Sequence, residues 1–184
     1  MSDLNKFKSF LNTTEELFEY QFQINVFTDG GSFDPNLTEL KNIQFYVNTT
    51  TLPGKSLERA DVFHFGFNFK KPSRLIYTDT IAVDMRVDSD LEVHKAVSAW
   101  MDTFYNIGEG GAGERTLPLY NLKLYVLDKD LNVVEGSKTI ILSGVYPSNV
   151  GDINLTHEGS AVAIAPVEFT YQYWYYEEDG DPLG

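Results

Sequence analysis

Apolar side chains recur at every second position in several stretches of this chain, the period of a strand with one face on a core. Tyr20, Phe22, Ile24 and Val26 mark the first strand. Ile43, Phe45 and Val47 mark the second, which runs out into the polar Asn48 to Thr51. Ile81, Val83, Met85 and Val87 alternate with Thr80, Ala82, Asp84 and Arg86. Two more strands are expected around Tyr120 to Leu127 and Val133 to Leu142, joined as a hairpin through Asp128-Lys129-Asp130. The turn phrase GVYPSNVGD follows, and then a closing strand carries Val167, Phe169, Tyr171, Tyr173 and Tyr175 on one face. Trp174 and Tyr176 make the end of that strand apolar on both faces, which calls for a partner beyond its own domain.

Val62 to Lys70 places Phe63, Phe65, Phe67 and Phe69 on one face and His64, Gly66, Asn68 and Lys70 on the other. An ordinary half-buried hairpin strand explains such a ladder. Packing against another subunit, where aromatics are enriched, explains it as well. The ladder lies in an extended hairpin expected over about residues 54 to 72, entered through the turn Leu52-Pro53-Gly54-Lys55.

Helical spacing is clear once, from Ser89 to Tyr105, where Val93, Val97, Trp100 and Phe104 form one stripe. Ser89 with Glu92 reads as a capping box. Asn106-Ile107-Gly108 and the run GEGGAGE end the helix in a loop, and Asp29 to Leu40 reads as another. Leu4, Phe7, Phe10 and Leu11 are also spaced helically, as a short amphipathic helix or as an arm docked on a neighbour. Seven or so strands and one helix make a mainly β (α+β) chain, an antiparallel β-sandwich or small β-barrel with the helix on one side or end. The expected division is an N-terminal arm (1–18), one domain (19–176) and an acidic C-terminal tail (177–184).

The 184 residues carry a formal net charge of -13, a surface that repels nucleic acid and anionic membrane. There is no cysteine, so neither disulfides nor thiolate metal sites are expected. No apolar run is long enough to span a bilayer, and the first residues lack a signal-peptide core, so a soluble protein made inside the cell is expected.

Candidate chemistry is sparse. The glycine run after the helix lacks the Lys-Ser/Thr pair that grips phosphates. His64, His94 and His157 sit on separate elements with no metal-ligand spacing. Asp128-x-Asp130-x-Asn132 lacks the glycine and distal glutamate of a calcium loop. Asp88-Ser89-Asp90 reads as helix capping and Glu177-Glu178-Asp179 as a solvated tail. No catalytic constellation emerges; no cofactor, no metal and no enzymatic activity are expected.

Gly144, Val145, Tyr146, Pro147, Ser148, Asn149, Val150 and Gly151, followed by Tyr173-Trp174, resemble the C-terminal signature of the tail tube proteins of contractile-tailed bacteriophages. Thr51-Leu52-Pro53 before a long hairpin and the helix bearing Ala99-Trp100 match in order and spacing, so the resemblance covers residues 19 to 176. It implies subunits assembled as hexameric rings and stacked into a hollow tube of the virion. Tail sheath, baseplate and tail terminator proteins would be the partners, and DNA would pass the lumen without specific binding. The arm, the loop Asp29 to Leu40 and residues 177–184 depart from the family pattern. Under this reading Phe63, Phe65, Phe67, Phe69, Trp174 and Tyr176 are subunit-interface candidates, and Asp84 and Glu168 are lumen-facing candidates. A tube-initiating baseplate protein, a secretion-system or bacteriocin tube subunit, and a carbohydrate-binding β-sandwich are the alternatives.

Overall fold

A computed structural model describes residues 21–27, 42–106, 111–112, 120–127, 130, 132–133, 139–157 and 161–183. The expected arm and the loop Asp29 to Leu40 lie outside them. The elements are β1 (Phe22–Phe27), β2 (Val47–Thr50), β3 (Lys55–His64), β4 (Phe67–Tyr77), β5 (Thr80–Arg86) and α1 (Glu92–Phe104). After them come β6 (Tyr105–Asn106), β7 (Gly111–Ala112), β8 (Tyr120–Val126), β9 (Thr139–Val150), β10 (Ile164–Thr170) and β11 (Tyr173–Tyr176).

Seven strands form one antiparallel sheet in the order β1-β8-β9-β10-β5-β2, with β11 also on β9. The 12-residue β9 reaches both halves of this sheet. Its first half pairs with β8 and β11, its second half with β10. Between the halves stands Gly144 with φ of 67°, a left-handed conformation open mainly to glycine. Before it every residue from Thr139 to Leu142 is buried, and after it burial alternates, with Val145 and Pro147 inside and Tyr146 and Ser148 exposed. The partner chain changes phase at the same level: Phe169 and Tyr171 are buried, then Trp174. A kink shared by both strands therefore carries the sheet from one layer to the other. One core fills the space between, from Ile24, Leu122 and Leu124 on one side to Ile81, Val83 and Phe169 on the other. The strand path ends at β1 and β2, and no closed barrel forms among the described residues.

α1 lays Val93, Ala96, Val97 and Trp100 on this core. The Trp100 ring meets Tyr120 edge-on at 5.0 Å and Phe169 at 5.8 Å, contacts of the geometry aromatic pairs prefer. The cap differs from expectation. Asp88 Oδ1, and not Ser89, accepts the Glu92 backbone N–H at 3.1 Å, satisfying one of the free donors of the first turn.

Other expectations are corrected. Residues 42–45 form a 3-10 turn, so Ile43 is buried and Phe45 exposed, and strand pairing begins only at Val47 and includes the polar run. GVYPSNV is no turn but the second half of β9. The closing segment is not one alternating strand, because the break at Tyr171-Gln172 inverts its phase. Val133 bridges to Leu127, whereas the paired strand begins at Thr139. Part of the glycine run, Gly111–Ala112, pairs with Tyr105–Asn106. The acidic tail is tied back: Lys123 Nζ lies 2.6 Å from Glu177 Oε1, and the Tyr173 hydroxyl donates to the Asp181 carboxylate at 3.1 Å.

Candidate assembly interface

The ladder of four phenylalanines folds as a hairpin tip. His64 pairs with Phe67, leaving Phe65 and Gly66 as a two-residue turn with φ of 48° and 81°. Positive φ at both turn positions gives the twist that flanking strands require. The chain reverses inside the ladder, so the four rings do not share a face. Phe69 pairs with Val62 and lies with Phe67 on one face, the two rings 6.4 Å apart; Phe63 pairs with Asn68 on the other face. Phe65 stands at the very tip, 88% exposed, with the His64 ring edge-on to it at 4.3 Å.

The hairpin spans Lys55–Tyr77, longer than the 54 to 72 expected, and every residue of it except Tyr77 is exposed. It packs on the rest of the described chain only at its root. There the Gly54 carbonyl accepts from the Thr78 N–H at 3.0 Å, the Thr78 hydroxyl at 3.1 Å and Trp174 Nε1–H at 3.2 Å. Tyr77 stands edge-on to Trp174 at 6.3 Å, and Lys55 Nζ lies 4.7 Å from the center of the Trp174 ring. Beyond this clamp the arms are held by their own pairing, which a bulge between Leu57 and Arg59 interrupts, and by the exposed Glu58–Arg74 ion pair.

Trp174 is thus 6% exposed and spent within its own chain, on the core and the hairpin root, while Tyr176 next to it is partly open. The remaining signature residues have structural work. An added Cβ at Gly144 would sit 2.8 Å from the Gln172 side chain, and at Gly151 2.7 Å from Pro166 Cγ. Gly151 also donates its N–H to the Pro166 carbonyl at 2.8 Å. Pro147 is buried opposite Phe169 at the register shift between β9 and β10, a place where a missing N–H is tolerated. Asn149 is exposed opposite Glu168.

Asp84 and Glu168 come together on one surface. Glu168 pairs with Ala82 and Asp84 with Pro166 on the outer face of the β10–β5 half-sheet, where Thr49 donates its hydroxyl to Asp84 at 2.7 Å. His64, His94 and His157 stay on the hairpin tip, α1 and the loop after β9. Sequence reasoning missed Gly54, Lys55 and Gln172. Gly54 sits in a turn phrase, a signal of the root; nothing local marks Gln172 as the side chain that fills the space over Gly144.

Solved structures share this architecture at low sequence identity. A chain of the anti-feeding prophage baseplate, 6-fold symmetrised, has a TM-score of 0.59 at 13% identity, over 90% of this chain and 99% of that one. A chain of the sheath-tube complex of PVC, an extracellular contractile injection system, in its extended state has 0.58 at 12%, over 91% and 95%. A chain of the anti-feeding prophage tube terminating cap has 0.59 at 9%, over 88% and 91%. These likenesses establish the fold. No curated protein sequence matches the chain. The family model for phage tail tube protein matches residues 5–177, nearly the whole length, and the chain therefore belongs to the phage tail tube protein family, a structural component of the virion tail.

Proposed function

We propose that this protein is the tail tube subunit itself, joining five copies in a hexameric ring and stacking such rings into the hollow tube that conducts phage DNA inside a contractile sheath. The observation that carries this is the hairpin Lys55–Tyr77, a long exposed arm with phenylalanines on both faces that packs on the other described residues only at its root. An arm of this kind is costly to leave in water and is the contact that subunit assembly buries. The sixfold baseplate and the sheath-tube complex whose chains share the fold support the reading.

The mechanism is assembly, not catalysis. The strand edges at β1 and β2, where the path ends among the described residues, would be covered by neighbors in the ring, removing the hazard that free edges carry. The arms would bury Phe63, Phe65, Phe67 and Phe69; at about 25 cal/mol per Å², four rings contribute on the order of several kcal/mol per subunit. The outer face that bears Asp84 and Glu168 would line the lumen, where carboxylates keep DNA phosphates from sticking. Sheath, baseplate and terminator proteins would meet the outside and the two ends. Electron microscopy of concentrated purified protein tests this: rings or long hollow tubes are expected. A persistent monomer that is retained on glycan columns would replace the reading with a carbohydrate-binding sandwich.

A further inference from the structure

We propose that residues 177–183 are an autoinhibitory strap, an acidic segment closed over an aromatic strip of the sheet, where it keeps a second copy of the chain from docking. The family match stops at residue 177, so the strap lies almost wholly beyond the matched stretch. Register builds the strip. Lys123 on β8 stands opposite Ile141 on β9, Ile141 opposite Tyr175 on β11, and Tyr173 opposite Ser143. Directly opposed residues share a face, and this face is the outer one, since Leu122, Leu142 and Trp174 belong to the core. The Tyr173 and Tyr175 rings stack 6.2 Å apart, and Lys123 Nζ lies 5.0 Å from the center of the Phe27 ring. On β5 the outer positions are Thr80, Ala82, Asp84 and Arg86, an ordinary solvent face. The strip is different: it is aromatic, and Ile141 within it is 6% exposed.

The strap crosses this face. Glu177 follows β11 yet its carboxylate meets Lys123 Nζ on β8 at 2.6 Å, so the pair spans β9 from one neighbor to the other. Glu177–Asp179 form a 3-10 turn against β9, and Gly180, with φ of 73°, turns the chain back. Asp181 then accepts the Tyr173 hydroxyl at 3.1 Å and the Leu183 N–H at 2.8 Å. No residue of the turn is buried, and Glu178 to Leu183 are exposed. Polar contacts at its two ends therefore fasten the strap, while an apolar anchor does not. It carries Glu177, Glu178, Asp179 and Asp181 and no basic residue, on a chain of net charge -13. The chain as a whole repels it, and Lys123 attracts it. A segment so fastened opens locally without unfolding the body. Open, it uncovers tyrosines around a lysine. Tyrosine is enriched where proteins meet, and a bare Lys123 draws the acidic surface of a second copy. Closed, the strap fills that place with its own carboxylate at the high effective concentration of a tethered group.

Two readings on the same variants test this: modification of Lys123 by an amine-reactive reagent in dilute protein, and sedimentation at a concentration where wild type is a monomer. Glu177→Lys sets two ammonium groups against each other and should open the strap. Lys123 should then react about tenfold faster, and dimers or larger species should appear. Tyr173→Phe releases the other fastening without changing charge and should move both readings the same way by less; it also carries the test if circular dichroism shows Glu177→Lys unfolded. Glu178→Lys makes the same charge change at an exposed neighbor, and should leave Lys123 protected and the protein monomeric. Unchanged Lys123 reactivity in both opening variants overturns the proposal, as does faster reaction with no association. Equal association by Glu178→Lys overturns it too, since net charge alone would then be the cause. Tube formation at higher concentration is a separate reading, so the tube proposal stands if the strap fails.

Discussion

β5 and the hairpin strand β4 are both antiparallel, both built with alternating apolar residues, and have opposite fates. In β5, Ile81, Val83 and Met85 are wholly enclosed and the residues between them look outward. In β4, Phe67 and Phe69 alternate just as cleanly, and every residue from Phe67 to Ile76 is exposed. Periodicity says that a face is apolar. It does not say which molecule covers it. For β5 the cover is the chain's own core; for the hairpin it lies in another copy under the proposed assembly.

The contrast breaks most visibly by truncation. Phe169→Ala, which empties space beside Trp100, should cost about 3–5 kcal/mol of stability in urea unfolding. Phe67→Ala, on the hairpin, should stay within about 0.5 kcal/mol of wild type. Equal losses would mean that the hairpin belongs to the body's cooperative unit. Glycines sharpen the same contrast. Gly144→Ala combines positive φ with Gln172 at 2.8 Å and should cost about 1–3 kcal/mol. Gly66→Ala also has positive φ but nothing within 4 Å, so its strain of about 1 kcal/mol should loosen the tip and leave the body's melting temperature unmoved.

The clamp between the two regions gives a smaller effect. Trp174→Phe keeps a ring on the core but removes the Nε1–H that reaches the Gly54 carbonyl. About 1 kcal/mol should be lost, and hydrogen exchange at the Thr78 amide, bonded to the same carbonyl, should accelerate. Unchanged exchange would show that the Gly54–Thr78 ladder alone holds the root.

The smallest effect is alkaline. Burial, then the nearby Asp79 carboxylate, raise the Tyr171 hydroxyl above its ordinary value of 10.0, with Thr78 opposing. The folded protein holds this proton more tightly than the unfolded chain. Its contribution is complete below pH 10.0 and is lost as pH rises through the raised value. Tyr171→Phe should remove that part of the alkaline fall, seen as the difference between the two stability–pH curves.

Much of the body was legible because its residues answer to local rules. Val93, Val97 and Trp100 mark one helical face, and Ile81, Val83 and Met85 one strand face, wherever their cover comes from within the domain. The phrase from Gly144 to Gly151 was legible as a family mark but not as a shape. Glycine and proline there imply a turn, whereas the long pairing with β8, β10 and β11 holds it as a strand and uses Gly144 for a kink. The phenylalanine ladder misled for a related reason. A two-residue turn through Phe65-Gly66 keeps the spacing of a continuous strand while reversing the chain, and Phe at a positive-φ position gives no turn signal. Trp174 was read as reaching outward because the inverted phase after Tyr171 depends on Gly144, 30 residues earlier in the chain.

Under the proposed assembly the hairpin is idle in the monomer and essential in the tube. Phe65→Asp tests it most directly, by unfolding the purified variant in urea and imaging it beside wild type at equal concentration. An unchanged unfolding midpoint is expected, with no tubes where wild type forms them. Tubes of normal length and number from Phe65→Asp would contradict it.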